Sequence, residues 1–539
     1  MKSGHCTRRQ FIKQTGTSAM SIAALNLLSC GSKSRPPNII FFIADDMRSE
    51  MFNCLPEGQG KNWTPNMDRL AREGTLMMGQ HVSSPVCTPS RYSCLTGRYA
   101  SRAINDAFIQ FTQKQQGQTV IQWNSFITEM DETLPRFLQK AGYKTGMVGK
   151  NHVVDVKNLY RFPSYDLDPK SSEIKQKLKD NSEKIKTAIR RIGFDYVSHV
   201  YHNNPNFIGL KALAVQNLDW ITEGGIEFID KSGEQPFFLY FATTVPHSPT
   251  EPKRSWNADP LVTANGYLKV PPNVMPPRHT IPKRIREAGL EGKNRENLLW
   301  LDDSLGALIQ RLEKHNLMDN TIIFFFNDHG QNAKGTIYQG GVHNPSIIWK
   351  KGGFPCGTIC ETHVSNIDFA PTILEMAGCG ISGTRFDGHS FYPALQGSKK
   401  PIHEALYFEL GFVRGIRQGR WKYIALRYPE YARKMTLEKR KELLEKYNEG
   451  RRFRNMVIVN TDPSKPFSHL EVLPGGGHAE FESTGKYPGY YDADQLYDLS
   501  ADPNEQNNLA SHPDCQNKLN DMKQKLRKIL NTLPGTFEL

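Results

Sequence analysis

Asn38-Ile39-Ile40-Phe41-Phe42-Ile43-Ala44-Asp45-Asp46 is the stretch on which the fold turns. From Ile39 to Ala44 it is unbroken apolar chain, rich in β-branched and aromatic side chains, with no polar alternation. Such a run reads as a strand buried on both faces, as in parallel sheets covered by helices. It ends in two adjacent acids, which are costly at a core boundary unless a cation or a turn receives them.

Outward from this strand, the pattern alternates. Thr64 and Pro65 open a helix over 64–72, with Thr64 as N-cap and Pro65 in the first turn. Residues 132–141 read as a helix closed by Gly142. Residues 144–149, 237–242, 321–326 and 346–349 read as strands. Residues 294–315 form a helix with Leu298, Leu301, Leu305, Leu308, Ile309 and Leu312 on one face, and 369–377 form another. The expected fold is α/β: a large mixed, mostly parallel sheet sandwiched by helices. After about residue 395 short strands at 405–408, 413–416 and 420–425, a charged stretch at 434–452 (a solvated helix or an insertion) and a helix at 516–530 suggest a smaller C-terminal α+β domain with a short antiparallel sheet.

Composition is globular, 38% hydrophobic and 23% charged over 539 residues, and it favours one large domain plus a smaller one. Lys and Arg number 68 against 55 Asp and Glu. That excess suits an anionic partner such as nucleic acid, acidic lipid or a sulfated polymer, and equally suits an inert basic surface. No dense Lys/Arg run with interleaved aromatics is present, so no nucleic-acid partner is expected. Of nine cysteines, Cys6 and Cys30 fall in the N-terminal segment. Cys356 and Cys360 either pair or are core thiols, and no CxxC pair with zinc spacing occurs.

The N-terminal segment reads as an address. Thr7-Arg8-Arg9-Gln10-Phe11-Ile12-Lys13 resembles a twin-arginine export signal. The apolar run at 19–28 is too short for a permanent span. Leu27-Leu28-Ser29-Cys30 resembles a bacterial lipobox, which implies lipidation of Cys30; the alternative is an ordinary cleavable signal. The expectation is export to the periplasm or cell surface with a lipid tether rather than a membrane span.

In open α/β sheets, ligands bind beyond the carboxyl ends of strands. Three expected strands deliver unusual residues there: Asp45-Asp46, Val245-Pro246-His247 and Asn327-Asp328-His329-Gly330. Clustered carboxylates suit calcium or magnesium, although an Asp pair also serves as a cap or turn. The segment Val86-Cys87-Thr88-Pro89-Ser90-Arg91-Tyr92-Ser93-Cys94-Leu95-Thr96-Gly97-Arg98 bears most on function. Pro89 suits the first turn of a helix, whose N-terminus attracts anions. Cys87 and Arg91, four apart, share one helix face. Cys94 reads as a core thiol.

This segment resembles the C-x-P-S-R…L-T-G-R signature of the formylglycine-dependent sulfatases, within the alkaline phosphatase superfamily, and in particular the bacterial polysaccharide-sulfatase type. Gly149-Lys150-Asn151-His152 resembles the family's G-K-x-H element, with Asn151 where Trp is frequent. Pro246-His247-Ser248-Pro249 resembles P-H-x-P. Asp328-His329-Gly330 resembles the second metal element. Lys334 with Tyr338-Gln339-Gly340-Gly341 resembles K…Y-E-G-G, with Gln339 for Glu, and His343 stands where Arg is usual. Gln495-Leu496-Tyr497-Asp498-Leu499, then Asp502-Pro503-Asn504-Glu505 and Asn508-Leu509, resemble the C-terminal signature, read as structural.

The resemblance implies a division into an export signal at 1–30, a linker at 31–36, a catalytic domain at 37–395 and a C-terminal subdomain at 396–539. It implies oxidation of Cys87 to formylglycine (3-oxoalanine) by a formylglycine-generating maturation enzyme. One hydroxyl of the hydrate would attack sulfur, and deprotonation of the other would expel sulfate. One calcium ion would be held by Asp45, Asp46, Asp328, His329 and the residue 87 side chain. Arg91 and Lys150 would stabilise charge, His152 would assist the base step, and His247 and Lys334 would bind sulfate, one of them protonating the leaving oxygen. The expected substrate is a sulfated polysaccharide or its oligosaccharides, touched by loops at 103–124, 155–168 and 199–207. Two other readings share these residues: a phosphonate or phosphodiester hydrolase, and a non-catalytic glycan-binding surface lipoprotein.

Overall fold

The structure is a computed structural model that describes residues 35–290, 295–355, 357–380, 385–453, 458, 461–464 and 486–539. The N-terminal address, with Cys6 and Cys30, lies outside the described residues, as does Cys356, so pairing of Cys356 with Cys360 does too. Residues from Pro37 to Leu539 form one compact unit.

Eight strands form the main sheet: β1 (Asn38–Asp45), β2 (Thr75–Met77), β3 (Lys144–Asn151), β4 (Tyr196–His202), β5 (Phe237–Pro246), β6 (Thr321–Asn327), β7 (Ser346–Lys350) and β8 (Thr358–Cys360). Their order across the sheet is β8-β2-β7-β6-β1-β5-β3-β4. All neighbours are parallel except β7, which runs antiparallel to β6 and β2. The expected α/β sheet, mixed and mostly parallel, is what forms.

β1 sits in the middle, and every one of its residues is buried. Its side chains alternate between two cores: Ile39, Phe41 and Ile43 face one, and Ile40, Phe42 and Ala44 the other. Phe42 stacks on Phe241 of β5 at 4.8 Å and on Phe325 of β6 at 5.2 Å. Burying each such ring contributes about 1.5–3 kcal/mol.

The helices used below are α1 (Pro65–Glu73), α2 (Cys87–Thr96), α3 (Leu134–Lys140), α4 (Ser172–Arg191), α5 (Leu218–Ser232), α6 (Arg295–Lys314), α7 (Phe369–Met376), α8 (Leu437–Phe453) and α9 (Gln516–Leu530). Tyr92 and Leu95 of α2, Leu138 of α3, Ile189 of α4 and Ile373 of α7 cover the first face. Phe228 of α5 and Leu305 of α6 cover the second. No described helix is long and apolar enough to cross a membrane.

A second sheet, antiparallel throughout, orders β9 (Leu406–Leu410), β10 (Val413–Gln418), β11 (Trp421–Leu426) and β12 (Asp494–Asp498) side by side, with α9 packed against it.

Several local expectations shift. Thr64 occupies the N-cap of α1, but its hydroxyl goes to the Asp68 carboxylate at 3.2 Å. The backbone N–H groups of Asn66 and Met67 are instead received by Asp302 of α6, at 3.0 and 2.8 Å. A cap supplied by another helix carries no local signal. β3 and β5 continue to Asn151 and Pro246, past the expected ends at 149 and 242. β2, β4, β8, β12, α4 and α5 carry no expectation from the sequence.

Candidate active site

Parallel pairing brings three strand ends to one edge. Ala44 of β1 is level with Asn327 of β6, and Asp45 with Pro246 of β5. Asp45-Asp46, His247 and Asp328-His329 therefore emerge together, as the carboxyl-end rule requires. β3 adds Lys150 and Asn151, with His152 just beyond. Gly149 is obligatory here: its φ is +84°, and a Cβ would sit 1.7 Å from the Ala242 carbonyl oxygen. Asn327 pins the turn after β1: its Nδ2 donates to the Met47 carbonyl at 3.0 Å and its Oδ1 accepts from the Met47 N–H at 2.8 Å. Asp46 takes a left-handed φ of 65°, which aspartate tolerates.

α2 supplies Cys87 at its first position and Arg91 one turn later, and all ten of its residues are buried. It closes on Gly97, whose φ of +65° caps the helix and whose missing side chain leaves room for Phe386. Ser90 donates to the Asp328 carbonyl, and Asn366 Nδ2 donates to Ser90 Oγ at 2.9 Å, which ties α2 to the Asp328-His329 turn. Cys94 is buried, as expected of a core thiol.

The charges interlock. Asp45 receives Lys150 Nζ at 2.6 Å and Arg91 Nη2 at 3.4 Å. Asp328 Oδ2 receives Arg91 Nη2 at 3.0 Å. Asp46 receives Lys334 Nζ at 2.7 Å on both oxygens, with His329 Nε2 at 3.1 Å and His247 Nε2 at 3.3 Å. Cys87 Sγ lies 3.5 Å from His329 Nε2 and 3.8 Å from Asp45 Oδ1. Burial opposes the charge on His329, but Asp328, Asp46 and Cys87 outweigh it and raise it to about 10. Burial likewise opposes Asp46, but Lys334 and His247 hold its carboxyl well below the usual range. Three carboxylates thus face three fixed cations and a proton on His329.

His152 and His247 behave differently. Burial, with Lys150 and Arg91 nearby, pushes His152 well below the ordinary imidazole value, so its ring is neutral. Burial also lowers His247 against the pull of Asp46 and Asp45. His247 Nδ1 donates to the Ser248 carbonyl at 2.9 Å, and Asn204 Nδ2 donates to its Nε2 at 3.0 Å. His152 Nδ1, Arg91 Nη1 and Thr88 Oγ1 are buried without hydrogen-bond partners among the described residues.

The donor set suits a divalent cation. Ligand atoms of Asp46, Cys87, Asp328 and His329 all lie within 4.8 Å of one another. Carboxylate oxygens dominate, which favours a hard ion. The same carboxylates that raise His329 would favour a cation in its place, with Nε2 then deprotonated as a ligand. Asp45 stands at the rim of this group, with an oxygen toward Cys87 and both oxygens engaged by Lys150 and Arg91. The nine site residues read from the sequence (Asp45, Asp46, Arg91, Lys150, His152, His247, Asp328, His329, Lys334) all lie in the network around Cys87.

The sulfatase family model matches residues 37–379. The chain belongs to the sulfatase family. It is similar to mouse (Mus musculus) N-acetylgalactosamine-6-sulfatase, 25% identical over 421 residues that cover 74% of each chain. It is also similar to an ulvan-active sulfatase of Formosa agariphila, 22% identical over 92% of this chain and 75% of the relative. A solved structure from the metabolism of glycosaminoglycans by Bacteroides thetaiotaomicron shares the fold, with a TM-score of 0.60 at 20% identity, covering 92% of this chain and 99% of the other. The protein is an enzyme that hydrolyses sulfate esters.

Sequence reasoning missed several residues that shape this sulfatase site. Asn204, buried, orients His247; its signal was the Asn203-Asn204-Pro205 turn just after β4. Gln216 Nε2 donates to the His247 carbonyl at 2.9 Å and fixes the same loop. The C-terminal signature acts at a distance: Glu505 accepts from the Gln339 N–H at 2.6 Å and pairs with Lys422 of β11 at 2.7 Å, so it braces the Tyr338-Gln339-Gly340-Gly341 turn. His343 donates no charge to the site; its Nε2 meets the Met78 carbonyl at 2.7 Å.

Proposed function

We propose that this sulfatase removes sulfate esters from sulfated polysaccharides or their oligosaccharides, with formylglycine derived from Cys87 as nucleophile and calcium beside it. The observation that carries the reading is the convergence of Asp46, Cys87, Asp328 and His329 within 4.8 Å, ringed by Arg91, Lys150 and Lys334. The glycan substrate is supported by the names of its relatives, an N-acetylgalactosamine-6-sulfatase and an ulvan-active sulfatase.

Asp46, Asp328 and His329 would hold the cation together with residue 87, with Asp45 at its edge; once bound, the ion supplies Lewis acidity at sulfate and acidifies an adjacent hydroxyl. A formylglycine hydrate supplies two hydroxyls at residue 87, one to attack sulfur and one to lose a proton. Arg91 and Lys150 keep fixed positive charge next to that side chain in a buried setting, where such charge is most effective. Lys334, held protonated because Asp46 outweighs its burial, binds a sulfate oxygen and is too poor an acid to give up its proton. His247 acts as the acid once Nε2 is protonated in place of the hydrogen bond it accepts from Asn204: that N–H gives its proton to the leaving oxygen while the Ser248 carbonyl holds the ring through Nδ1. Neutral His152, with Nδ1 unpartnered, takes the proton in the base step.

Mass spectrometry of the Cys87 peptide from active protein tests the nucleophile: formylglycine is expected, and fully unmodified cysteine would overturn it. Sulfate release from a panel of defined sulfated glycans tests the substrate; faster cleavage of phosphodiesters would return the assignment to the hydrolase alternative. We also propose export through the twin-arginine segment and a lipid anchor at Cys30, with a formylglycine-generating enzyme as maturation partner. Incorporation of a labelled fatty acid that is lost in Cys30→Ser is the expected result for the anchor, and an unlabelled wild type would exclude it.

A further inference from the structure

Beside the catalytic centre, the loop after β3, the face of α4 and the end of β4 line a cavity of about 730 Å³. Pockets that hold small organic ligands measure roughly 300–1,000 Å³. Tyr160, Phe162 and Phe207 supply aromatic surface, Asn181 and Asn203 supply amides, and Arg161 supplies a cation. No Asp or Glu lines it among the described residues. Arg161 is exposed and joins no ion pair there, and Phe207 is 68% exposed, a large ring left in water.

The cavity is built rather than incidental. Asn181 of α4 accepts from the Tyr160 N–H at 2.8 Å and donates to the Tyr160 carbonyl at 2.9 Å. Lys184 donates to the Asn158 carbonyl at 2.7 Å, and Lys177 sits 4.8 Å from the centre of the Tyr160 ring. These contacts hold the loop in place before any ligand arrives, which lowers the ordering cost of binding. The cavity also shares a wall with the catalytic centre. Asn203 N–H donates to the Asn151 carbonyl at 2.7 Å, and Asn151 Nδ2 lies 3.3 Å from His202 Nδ1. Asn151 stands between Lys150 and His152, and the next residue along the wall, Asn204, orients His247.

We propose that this cavity is a glycan subsite that binds the sugar next to the sulfated one, and that Arg161 recognises a carboxylate or sulfate on that sugar. The aromatic faces take the apolar faces of the ring, the amides take its hydroxyls, and the guanidinium fork takes the anionic group in two parallel hydrogen bonds. Asn151 joins the two sites through its carbonyl and its side chain. The inference rests on the glycan reading above and names the part of the substrate that sets specificity.

The test compares Arg161→Ala and Phe207→Ala with wild type on three substrates: 4-methylumbelliferyl sulfate, a sulfated monosaccharide, and the matching tetrasaccharide chosen from digests of chondroitin, heparan, carrageenan and ulvan. We expect wild type to favour the tetrasaccharide over the monosaccharide about tenfold or more in kcat/KM. Each variant should lose about tenfold on the tetrasaccharide, the order of one charge-assisted contact or one buried ring. Each should keep its rate on the aryl sulfate within twofold. Equal loss on all three substrates, or no loss on the tetrasaccharide, overturns the subsite. If no sulfate ester is turned over, the catalytic reading fails by itself, and calorimetric binding of the tetrasaccharides decides the subsite: binding weakened in Arg161→Ala sustains it, and no binding or equal binding ends it.

Discussion

Lys150 Nζ lies 2.6 Å from Asp45 Oδ2, and neither side chain has exposed surface. Arg91 holds the other Asp45 oxygen at 3.4 Å. Removing one partner of a buried pair costs about 3–5 kcal/mol because the other charge stays behind. Lys150→Met should therefore cost about 3 kcal/mol, at the low end because Arg91 remains, as well as activity. Urea unfolding measures the loss. Adding Asp45→Asn should restore part of the stability and none of the activity, and a single variant as stable as wild type would show that the pair is not held as described.

His247 and Lys334 divide the work at the leaving oxygen. If His247 delivers the proton, His247→Ala should slow hydrolysis of a sugar sulfate about 100-fold or more and of a nitrophenyl sulfate much less, since a phenolate leaves without a proton. Lys334→Ala should slow both alike. A leaving-group plot of rate against alcohol pKa separates the two: its slope should steepen in His247→Ala alone.

The pH profile reports on His152. Burial, Lys150 and Arg91 hold this imidazole neutral well below the ordinary value of 6.5. A base must be unprotonated, so activity that depends on it persists as pH falls through 6.5 and is lost only below. The acid limb of the sulfate-release rate should thus lie under pH 6.5 and should be absent from the residual activity of His152→Ala. The same shift has a stability sign: the unfolded chain binds the proton first, so stability falls as pH drops below 6.5.

Removal of the divalent ion should leave Asp46 and Asp328 with only their lysine, arginine and histidine partners. Exhaustive chelation should abolish turnover and lower the unfolding temperature by several degrees, as expected when a ligand specific to the folded state is withdrawn. Calcium should restore both better than magnesium, because a site mixing carboxylates, an imidazole and residue 87 does not offer a regular octahedron of oxygens. Metal-independent activity would exclude the proposed site.

Much of this is legible in the sequence. β1 declared itself because burial on both faces leaves no room for polar residues, and its acids marked the edge where the site forms. Cys87 and Arg91 were readable because helix spacing is local. What escaped was set by partners far along the chain. β12 reads as polar, yet Gln495 within it is buried and accepts from Tyr338 Oη at 2.7 Å, 157 residues away. Asp302 caps a helix more than 230 residues earlier, so it looks in sequence like one more acid on α6. Asn204 gains its role only because β4 ends beside β3, bringing it to His247.

Glu505 and Lys422 form a buried pair that also anchors Gln339. Glu505→Ala should cost about 3–5 kcal/mol, read by denaturant unfolding, because Lys422 is then buried and uncompensated. Glu505→Gln should cost less, since it retains an acceptor for the Gln339 N–H.

The complete enclosure of α2 sets a deadline. Cys87 is 1% exposed, and Thr88, Pro89, Ser90 and Arg91 around it are equally shut away. A small ester needs to reach only one side chain, but the maturation enzyme proposed above, if it grips the neighbouring residues, needs the segment as open chain. Once β1 and β6 have paired and Ser90 has met Asp328, that opportunity is over. Under the proposed maturation of Cys87, the yield of working enzyme becomes a race between two clocks, folding and modification, and a host that folds this protein too quickly would accumulate a well-formed but silent product.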